Sequence, residues 1–299
     1  MPVENGQVRS GLCIVDKPAS WTSHDIVARI RRLAGTRRVG HAGTLDPMAT
    51  GVLVIGIERA TKLLGLLALT EKSYDATIRF GESTVTDDAE GAVTATVAAG
   101  GVSEQAVRES LRHLLGEIDQ VPSSVSAVKV DGRRSYARVR AGEQVELKPR
   151  RVRIDRLDLL GIRRERPGVL DVDVSLDCST GTYVRAIARD VGVALGVGGH
   201  LTRLRRTRVG PYDLSAARSL EQLAAAPSAV AIELSAAVAT SFPRREVNEQ
   251  EALRLSHGRA LDLAGIAGVY GVFGPDGAVV ALVEERDGSA WPVAVLHPA

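Results

Sequence analysis

The amino-acid sequence predicts an α+β fold, in which a mixed, mostly antiparallel central sheet is flanked by helices and followed by a small β-rich C-terminal module. Strand-like and helix-like segments mix along the chain without the regular βαβ repeat of a doubly wound parallel sheet. After Phe242-Pro243 the chain has a turn signal at residues 274–277 and short β-like runs such as Ala278 to Val283. A chain of 299 residues that is 44% hydrophobic and 25% charged has an ordinary globular composition.

The first predicted elements surround a glycine-rich loop. Leu12 to Val15 reads as a short buried strand, and Trp21-Thr22-Ser23 supplies the cap of a helix whose apolar stripe stops at Gly35. The loop from Gly40 to Gly51 follows. A strand from Val52 to Ile57 and a helix from Ala60 to Leu69 come next.

Alternation predicts half-buried strands from Tyr74 to Phe80 and from Val169 to Cys178. Helical spacing predicts one helix from a Ser103 cap to Gly116 and another from Tyr183 to Leu195. Residues 122–150 are polar and basic, and we interpret them as an excursion from the core. The sequence thus divides into a flexible tail (residues 1–10), a main domain (11–241) that contains the excursion, and the C-terminal module (242–299).

Positive charge is concentrated in three distant segments. Five arginines and no acid lie between Arg29 and Arg38, and four arginines and no acid lie between Arg203 and Arg208. Eight basic residues face two acids between residues 133 and 153. These clusters fit a surface for a polyanion if the fold brings them to one side, and otherwise they are solvated faces of separate elements.

Several chemistries lack their sequence signature. Cys13 and Cys178 cannot form a disulfide framework or a cysteine-based zinc site, and the six histidines have no partner at metal-ligand spacing. The chain has no phosphate-binding Gly-Lys-Ser/Thr loop and no Gly-x-Ser-x-Gly elbow. It also shows no signal peptide and no apolar stretch long enough for a membrane span. We therefore expect a cytoplasmic protein without a membrane partner and an activity without a metal or nucleotide cofactor.

The loop from Gly40 to Gly51 is the first candidate site. Pro47 favours an extended conformation at Asp46, so the loop can hold a carboxylate rigidly at the surface of a sheet. The alternative is an Asx turn in which Asp46 only caps its neighbours.

The second candidate site is Gly181 to Arg185, where Tyr183 and Arg185 open a helix. Arg185 could keep a buried carboxylate ionised through its opposite charge and two hydrogen bonds, or it could be a surface arginine. Spacing does not show whether Arg185 meets Asp46, because 139 positions separate them.

Five segments carry recognisable motifs in a fixed order: Leu12 to Pro18, Gly40 to Gly51, Lys72 to Tyr74, Gly181 to Arg185 and Leu204 to Tyr212. Together they resemble the bacterial TruB family, the tRNA pseudouridine-55 synthases. Two features depart from the family pattern. Ser20 stands where the family often has glycine, and the C-terminal module is short and acidic beside the RNA-binding PUA domain usual in the family.

The resemblance implies a pseudouridine-synthase fold that isomerises a flipped uridine without a cofactor. In that chemistry Asp46 is a nucleophile at base or sugar, or the base that removes a sugar proton. The resemblance gives Arg185 the task of keeping Asp46 ionised and Tyr74 that of stacking on the target base. The substrate-binding residues that it implies are His41, which fills the gap left by the flipped base, the pocket walls Tyr183 and Leu204, and Lys17, Arg205 and Arg206.

The implied partner is the T arm of tRNA, on which the basic excursion would close as a thumb, and we expect a monomer without an obligate protein partner. A non-catalytic RNA-binding or tRNA-folding protein on the same scaffold is the main alternative. A synthase that works within a guide-RNA complex is a second one, which the absence of long basic tails disfavours. A glycoside hydrolase would need another carboxylate opposite Asp46, and no motif supplies it.

Overall fold

The structure, a computed structural model, describes residues 8–123, 129–130, 133–134 and 147–298. The chain forms two compact units. The first comprises Met1–Pro47, Gly51–Ala68 and Val209–Ala299, and the second comprises Met48–Thr50 and Leu69–Arg208. Most of the predicted tail lies outside the described residues, as does most of the excursion at residues 122–150.

The elements are numbered along the chain. The described strands are β1 (Gly11–Lys17), β2 (Val39–His41), β3 (Thr50–Ile57), β4 (Lys72–Phe80), β5 (Glu82–Thr84), β6 (Val93–Thr96), β7 (Gly116–Gln120), β8 (Lys129–Val130), β9 (Arg133–Arg134), β10 (Arg150–Arg163), β11 (Leu170–Cys178), β12 (Gly199–Val209), β13 (Tyr212–Asp213), β14 (Ile232–Glu233), β15 (Arg244–Glu246), β16 (Val269–Phe273), β17 (Val279–Arg286) and β18 (Ser289–Val295). The described helices are α1 (Ser23–Ala34), α2 (Leu64–Ala68), α3 (Glu104–Arg112), α4 (Val184–Ala194), α5 (Leu220–Ala225), α6 (Leu234–Ser241) and α7 (Glu249–Ser256).

Helix α1 forms where the sequence predicts it. Its N-terminus is closed by a capping box, in which the Thr22 hydroxyl accepts from the Asp25 N–H and the Asp25 carboxylate accepts from the Thr22 N–H. Gly35 ends the helix in the left-handed conformation, with φ of 66°. Ile26 and Ile30 are buried on the inner face of the helix. The capping residues and the apolar spacing therefore predict the same helix.

In the first unit, β1 pairs antiparallel with β3 and with β14, and β3 also pairs antiparallel with β2. Strand β1 is almost entirely buried. One side of it contributes Leu12 and Ile14 to a core that also contains Phe273, Val279 and Leu282 of the C-terminal module. The C-terminal module therefore shares a continuous hydrophobic core with β1.

The C-terminal module is β-rich, as the sequence predicts. Its four strands follow the order β15-β16-β17-β18, with β15 parallel to β16 and the other pairs antiparallel. The turn predicted at residues 274–277 joins β16 to β17, and the Gly277 N–H donates to the Gly274 carbonyl at 3.0 Å.

In the second unit, the strand order is β12-β4-β11-β10-β7, and the pairs β4–β11, β11–β10 and β10–β7 are antiparallel. Helices α3 and α4 pack together and lie against β10 and β4. Alternate residues of β11 are buried, and the intervening aspartates bind arginines, such as Asp171 with Arg79 and Asp177 with Arg156. The fold class is confirmed, since the sheet is antiparallel wherever these pairs are described and helices flank it.

Three local predictions were wrong. Residues 39–41 and 50 belong to strands, which shortens the predicted loop. The predicted helix at 60–69 begins as a 3₁₀ helix at Glu58–Leu63. Glu58 has a φ of 54°, and the Thr61 hydroxyl donates to its carbonyl. Helix α3 ends at Arg112, where Leu114 and Leu115 form tighter turn hydrogen bonds before Gly116.

Both cysteines are free thiols in the core. Cys13 on β1 and Cys178 at the end of β11 are at most 1% exposed. Burial raises the pKa of the Cys13 thiol to about 12 and that of the Cys178 thiol to about 11. None of the helices in the described part of the chain combines the length and the apolar character that a membrane span needs.

Candidate active site

The loop that carries Asp46 is fixed from below by a buried lysine. Lys17, at the end of β1, is fully buried, and its ammonium donates to the carbonyls of Pro18 (2.9 Å), Trp21 (2.7 Å) and Pro47 (3.1 Å). A lysine ammonium has three donors, and these charge-assisted bonds satisfy them. Lys17 therefore anchors the residue directly after Asp46.

A second set of hydrogen bonds holds the residues on both sides of Asp46, Leu45 and Pro47. The Ser23 hydroxyl accepts from the Leu45 N–H at 2.9 Å and donates to the Leu45 carbonyl at 3.1 Å. The Ser20 N–H donates to the Pro47 carbonyl at 2.9 Å. Ser20 has a φ of 67°, the left-handed conformation that glycine adopts most easily, so serine preserves the turn that a glycine would make. Both neighbours of Asp46 are thus held, and the carboxylate sits on a rigid backbone.

We predict that Ser23→Ala lowers the free energy of unfolding by about 1–3 kcal/mol, because the buried Leu45 N–H and carbonyl lose their partner. Urea unfolding measures the effect. Thr94→Ala is the matched control, since it removes an exposed hydroxyl bond to Ser83 and should change stability by less than about 0.5 kcal/mol. Equal stability of the two variants would contradict the role of Ser23.

His41 lies at the end of β2, at the start of the same loop. Its ring contacts that of His24 on α1 edge-on, with 5.7 Å between the ring centroids and 80° between the planes. Residues of helix α1 thus contact the loop at two points, through His24 at His41 and through Ser23 at Leu45.

Arg185 is buried in the first turn of α4, which excludes the surface-arginine interpretation. Its guanidinium lies 3.3 Å from the Asp88 carboxylate and donates to the Thr86 carbonyl at 3.0 Å. The two side chains of the ion pair are 6% and 4% exposed. A buried arginine is therefore fixed in position by an aspartate of the same unit.

Sequence reasoning missed Asp88. Its carboxylate also accepts from the Thr86 hydroxyl and from the Glu90 N–H at 3.1 Å, and its carbonyl accepts from Thr84 at 2.7 Å. Asp88 lies within an acidic stretch of the chain, and no spacing distinguishes it from the acids around it. Only the folded turn at residues 84–90 brings it to Arg185.

Tyr74 is 8% exposed on β4, and Leu204 is 5% exposed on the neighbouring strand β12. Lys72, two residues before Tyr74, is buried beside Arg206, which is only 1% exposed. Burial, reinforced by the Arg206 charge, lowers the pKa of Lys72 from 10.5 to about 8. Two buried cations, Lys72 and Arg206, thus accompany the Tyr74 motif.

Tyr183 is the N-cap of α4, in an extended conformation with φ of −101° and ψ of 105°. Arg205 is half-buried on β12, and its guanidinium donates to the Thr50 hydroxyl at 3.3 Å. The structure places Lys17, His41 and Asp46 in the first unit and the other predicted site residues in the second. The pairing of Asp46 with Arg185 stays a prediction. Among the described residues, no group of three or more His, Cys, Asp or Glu side chains is arranged for a metal ion.

Comparison with known proteins gives three family matches that together span most of the chain. Residues 31–184 match "TruB family pseudouridylate synthase (N terminal domain)". Residues 185–236 match "tRNA pseudouridylate synthase B C-terminal domain", and residues 242–297 match "tRNA Pseudouridine synthase II, C terminal".

Full-length relatives agree with these matches. A protein of Rhodococcus jostii (strain RHA1) named tRNA pseudouridine synthase B is 57% identical over 99% of this chain and 96% of its own. A protein of the same name from Thermobifida fusca (strain YX) is 57% identical over 95% of this chain and 98% of its own. A solved structure described as a Cbf5-Nop10-Gar1 complex has a TM-score of 0.74 at 24% identity, covering 97% of this chain and 86% of that one, and it supports the fold alone.

Proposed function

The chain belongs to the TruB family of pseudouridylate synthases, and we propose from this premise that it isomerises uridine 55 in the T loop of tRNA to pseudouridine. The observation that carries the proposal is 57% identity to tRNA pseudouridine synthase B along almost the whole length of both chains. The rigidly held Asp46 loop and the buried Arg185 support it from the structure.

The reaction breaks the N1–C1′ bond, rotates the freed uracil and forms a C5–C1′ bond. The proton leaves C5 and N1 gains one, so that the product is an isomer of the substrate. Asp46 supplies the carboxylate that this chemistry requires, and Arg185 keeps it ionised in a closed site. Tyr74 stacks on the flipped base, and Tyr183 and Leu204 complete the walls around it. His41 occupies the space that the base leaves in the T loop.

Of the remaining site residues, some stabilise the protein part of the site and one contacts the RNA. Lys17 acts through the Pro47 backbone of the loop rather than on the RNA, because its side chain is fully buried. We assign Arg205, which is half-buried, to the RNA. Arg206 acts from within the protein, because it is only 1% exposed. Burial, reinforced by the Arg206 charge, lowers the pKa of Lys72 there. The enzyme acts as a monomer in the cytoplasm, without a partner protein.

The test is to incubate the purified protein with a T-arm RNA hairpin, without nucleotide or partner, and to map pseudouridine by position. The proposal expects conversion of the uridine that corresponds to position 55 and of no other. An RNA that is bound but unmodified would overturn the proposal in favour of a non-catalytic tRNA-binding protein. Conversion at another position would overturn the assignment of the site.

The basic segment at residues 133–153 should govern affinity for tRNA rather than chemistry. Neutralising Arg133, Arg134, Arg138 and Arg140 should weaken binding and make the plot of log K against log salt shallower. The expected change in slope is about 0.7–0.9 for each phosphate that the variant no longer neutralises. Binding titrations at four salt concentrations measure it.

Arg151→Gln is the matched control for this segment. Arg151 lies 2.8 Å from the Glu117 carboxylate and 3.5 Å from that of Asp119, so acids of β7 neutralise its charge. Its replacement should change the slope much less than neutralisation of the four arginines does. If the fourfold variant kept both the affinity and the slope of the wild type, the thumb assignment would be wrong.

A further inference from the structure

The end of strand β7 meets the start of helix α4 through one buried side chain. Gln120, the last residue of β7, is 2% exposed. Its amide oxygen accepts from the Tyr183 N–H at 2.8 Å, and its amide nitrogen donates to the Tyr183 carbonyl at 3.1 Å. The carboxamide thus pairs with the Tyr183 backbone as a neighbouring strand would, through one donor and one acceptor.

This pairing occurs where helix α4 has no side-chain cap. Tyr183 is the N-cap residue, and its own side chain makes no capping hydrogen bond. Its carbonyl also accepts from the Ile187 N–H, the first hydrogen bond of the helix. Gln120 therefore fixes the peptide groups from which α4 begins, two residues before Arg185.

A second contact holds the same strand end against the next turn of α4. Arg189 donates to the Val121 carbonyl at 2.7 Å and lies 3.4 Å from the Asp87 carboxylate. Asp87 directly precedes Asp88, the partner of Arg185. The end of β7, the start of α4 and the turn around Asp88 therefore form one hydrogen-bonded frame.

We propose that Gln120 is a positioning residue for catalysis, which sets the Tyr183 backbone and through it the direction of Tyr183 and Arg185 in the site. The inference rests on the proposed function. Gln120 acts through Tyr183 because both ends of its buried amide engage that backbone. An error of about 1 Å in placing such groups can cost about 10²-fold in rate.

The test compares Gln120→Met with Gln105→Met. The second is the matched control, since Gln105 lies exposed on α3 and bonds only to Glu109 of the same helix among the described contacts. With enzyme in excess and tRNA saturated, Gln120→Met should lower the single-turnover rate constant about 10-fold to 10²-fold and change the tRNA Kd less than threefold. A merely structural role would lower the fraction of active enzyme and leave the rate constant unchanged. A rate constant equal to that of Gln105→Met would overturn the proposal.

Gln120→Glu separates the two hydrogen bonds and remains informative if the methionine variant fails to fold. Glutamate keeps the acceptor for the Tyr183 N–H, but its ionised form has no donor for the Tyr183 carbonyl. Its rate should lie between those of wild type and Gln120→Met, and its ratio to wild type should rise as lower pH protonates the carboxylate and restores a donor. A ratio independent of pH would count against the proposal.

Amide hydrogen exchange tests the geometry without any assay of activity. Exchange of the Tyr183 N–H should be faster in Gln120→Met than in the wild type and unchanged in Gln105→Met. If the wild-type protein formed no pseudouridine, the proposed function would fail. The exchange measurement would still decide whether Gln120 fixes the start of α4, and unchanged exchange would overturn that role.

Discussion

Asp46→Asn is expected to lower pseudouridine formation by at least about 10²-fold while tRNA binding stays within a few-fold of wild type. The two side chains have nearly the same size, so the substitution removes charge, basicity and nucleophilicity and little else. Proton transfer alone is typically worth about 10²–10⁴-fold, and a nucleophilic role would add to that. Single-turnover rates and a binding titration on the same T-arm RNA measure the two quantities.

The hydrogen bonds around Asp46 should keep the loop in place in the Asp46→Asn variant. Lys17, Ser20 and Ser23 hold the flanking backbone through Leu45 and Pro47 and do not depend on the Asp46 charge. Asp276→Asn, in a surface turn of the C-terminal module, controls for loss of an acidic residue and should leave the rate unchanged. Activity of Asp46→Asn above about one per cent of wild type would remove Asp46 from the chemistry.

The second large effect is expected at Asp88. Asp88→Ala leaves the Arg185 guanidinium buried without this carboxylate, and breaking a buried ion pair in this way typically costs about 3–5 kcal/mol. Asp88→Asn keeps an oxygen for the Thr86 hydroxyl and the Glu90 N–H, so it should destabilise the fold less. Both variants should lower the rate constant by about 10²-fold, because Arg185 loses its orientation. Urea unfolding and single-turnover kinetics separate the two effects.

An exposed ion pair provides the control for Asp88. Glu104 and Arg108 on α3 form a pair whose side chains are 57% and 47% exposed, and such pairs contribute about 0–1 kcal/mol. Glu104→Gln should leave rate and stability nearly unchanged. If Asp88→Asn were as active as Glu104→Gln, Arg185 would not need its aspartate partner.

Local signals predicted the elements that carry the site. A capping box at Thr22 and a left-handed glycine at Gly35 define α1 without help from distant residues, and strict alternation defines β11. The same local reasoning found the Asp46 loop and the start of α4. The resemblance to a family then supplied roles that spacing alone left open.

Long-range partners were beyond local reasoning. Asp88 and Gln120 reach α4 from 97 and 63 positions away, and neither lies in a distinctive pattern. The 14-residue strand β10 was also missed, because its many arginines resemble a solvated segment until Asp158, Asp173 and Asp177 are seen to pair with them. The shared core of β1 and the C-terminal module likewise needs the folded chain.

The two buried thiols allow transient opening of the fold to be measured by thiol labelling. Only the thiolate reacts with alkylating or disulfide reagents. Burial raises the pKa of Cys13 and Cys178 and keeps reagents away from both thiols. Labelling must therefore wait for a transient opening, so its rate reports the equilibrium between closed and open forms. Cys13 belongs to the first unit and Cys178 to the second. Mass spectrometry of the labelled peptides therefore measures the opening around each cysteine separately with a single reagent. A cysteine introduced at the surface could therefore be labelled with a dye while Cys13 and Cys178 stay almost unlabelled.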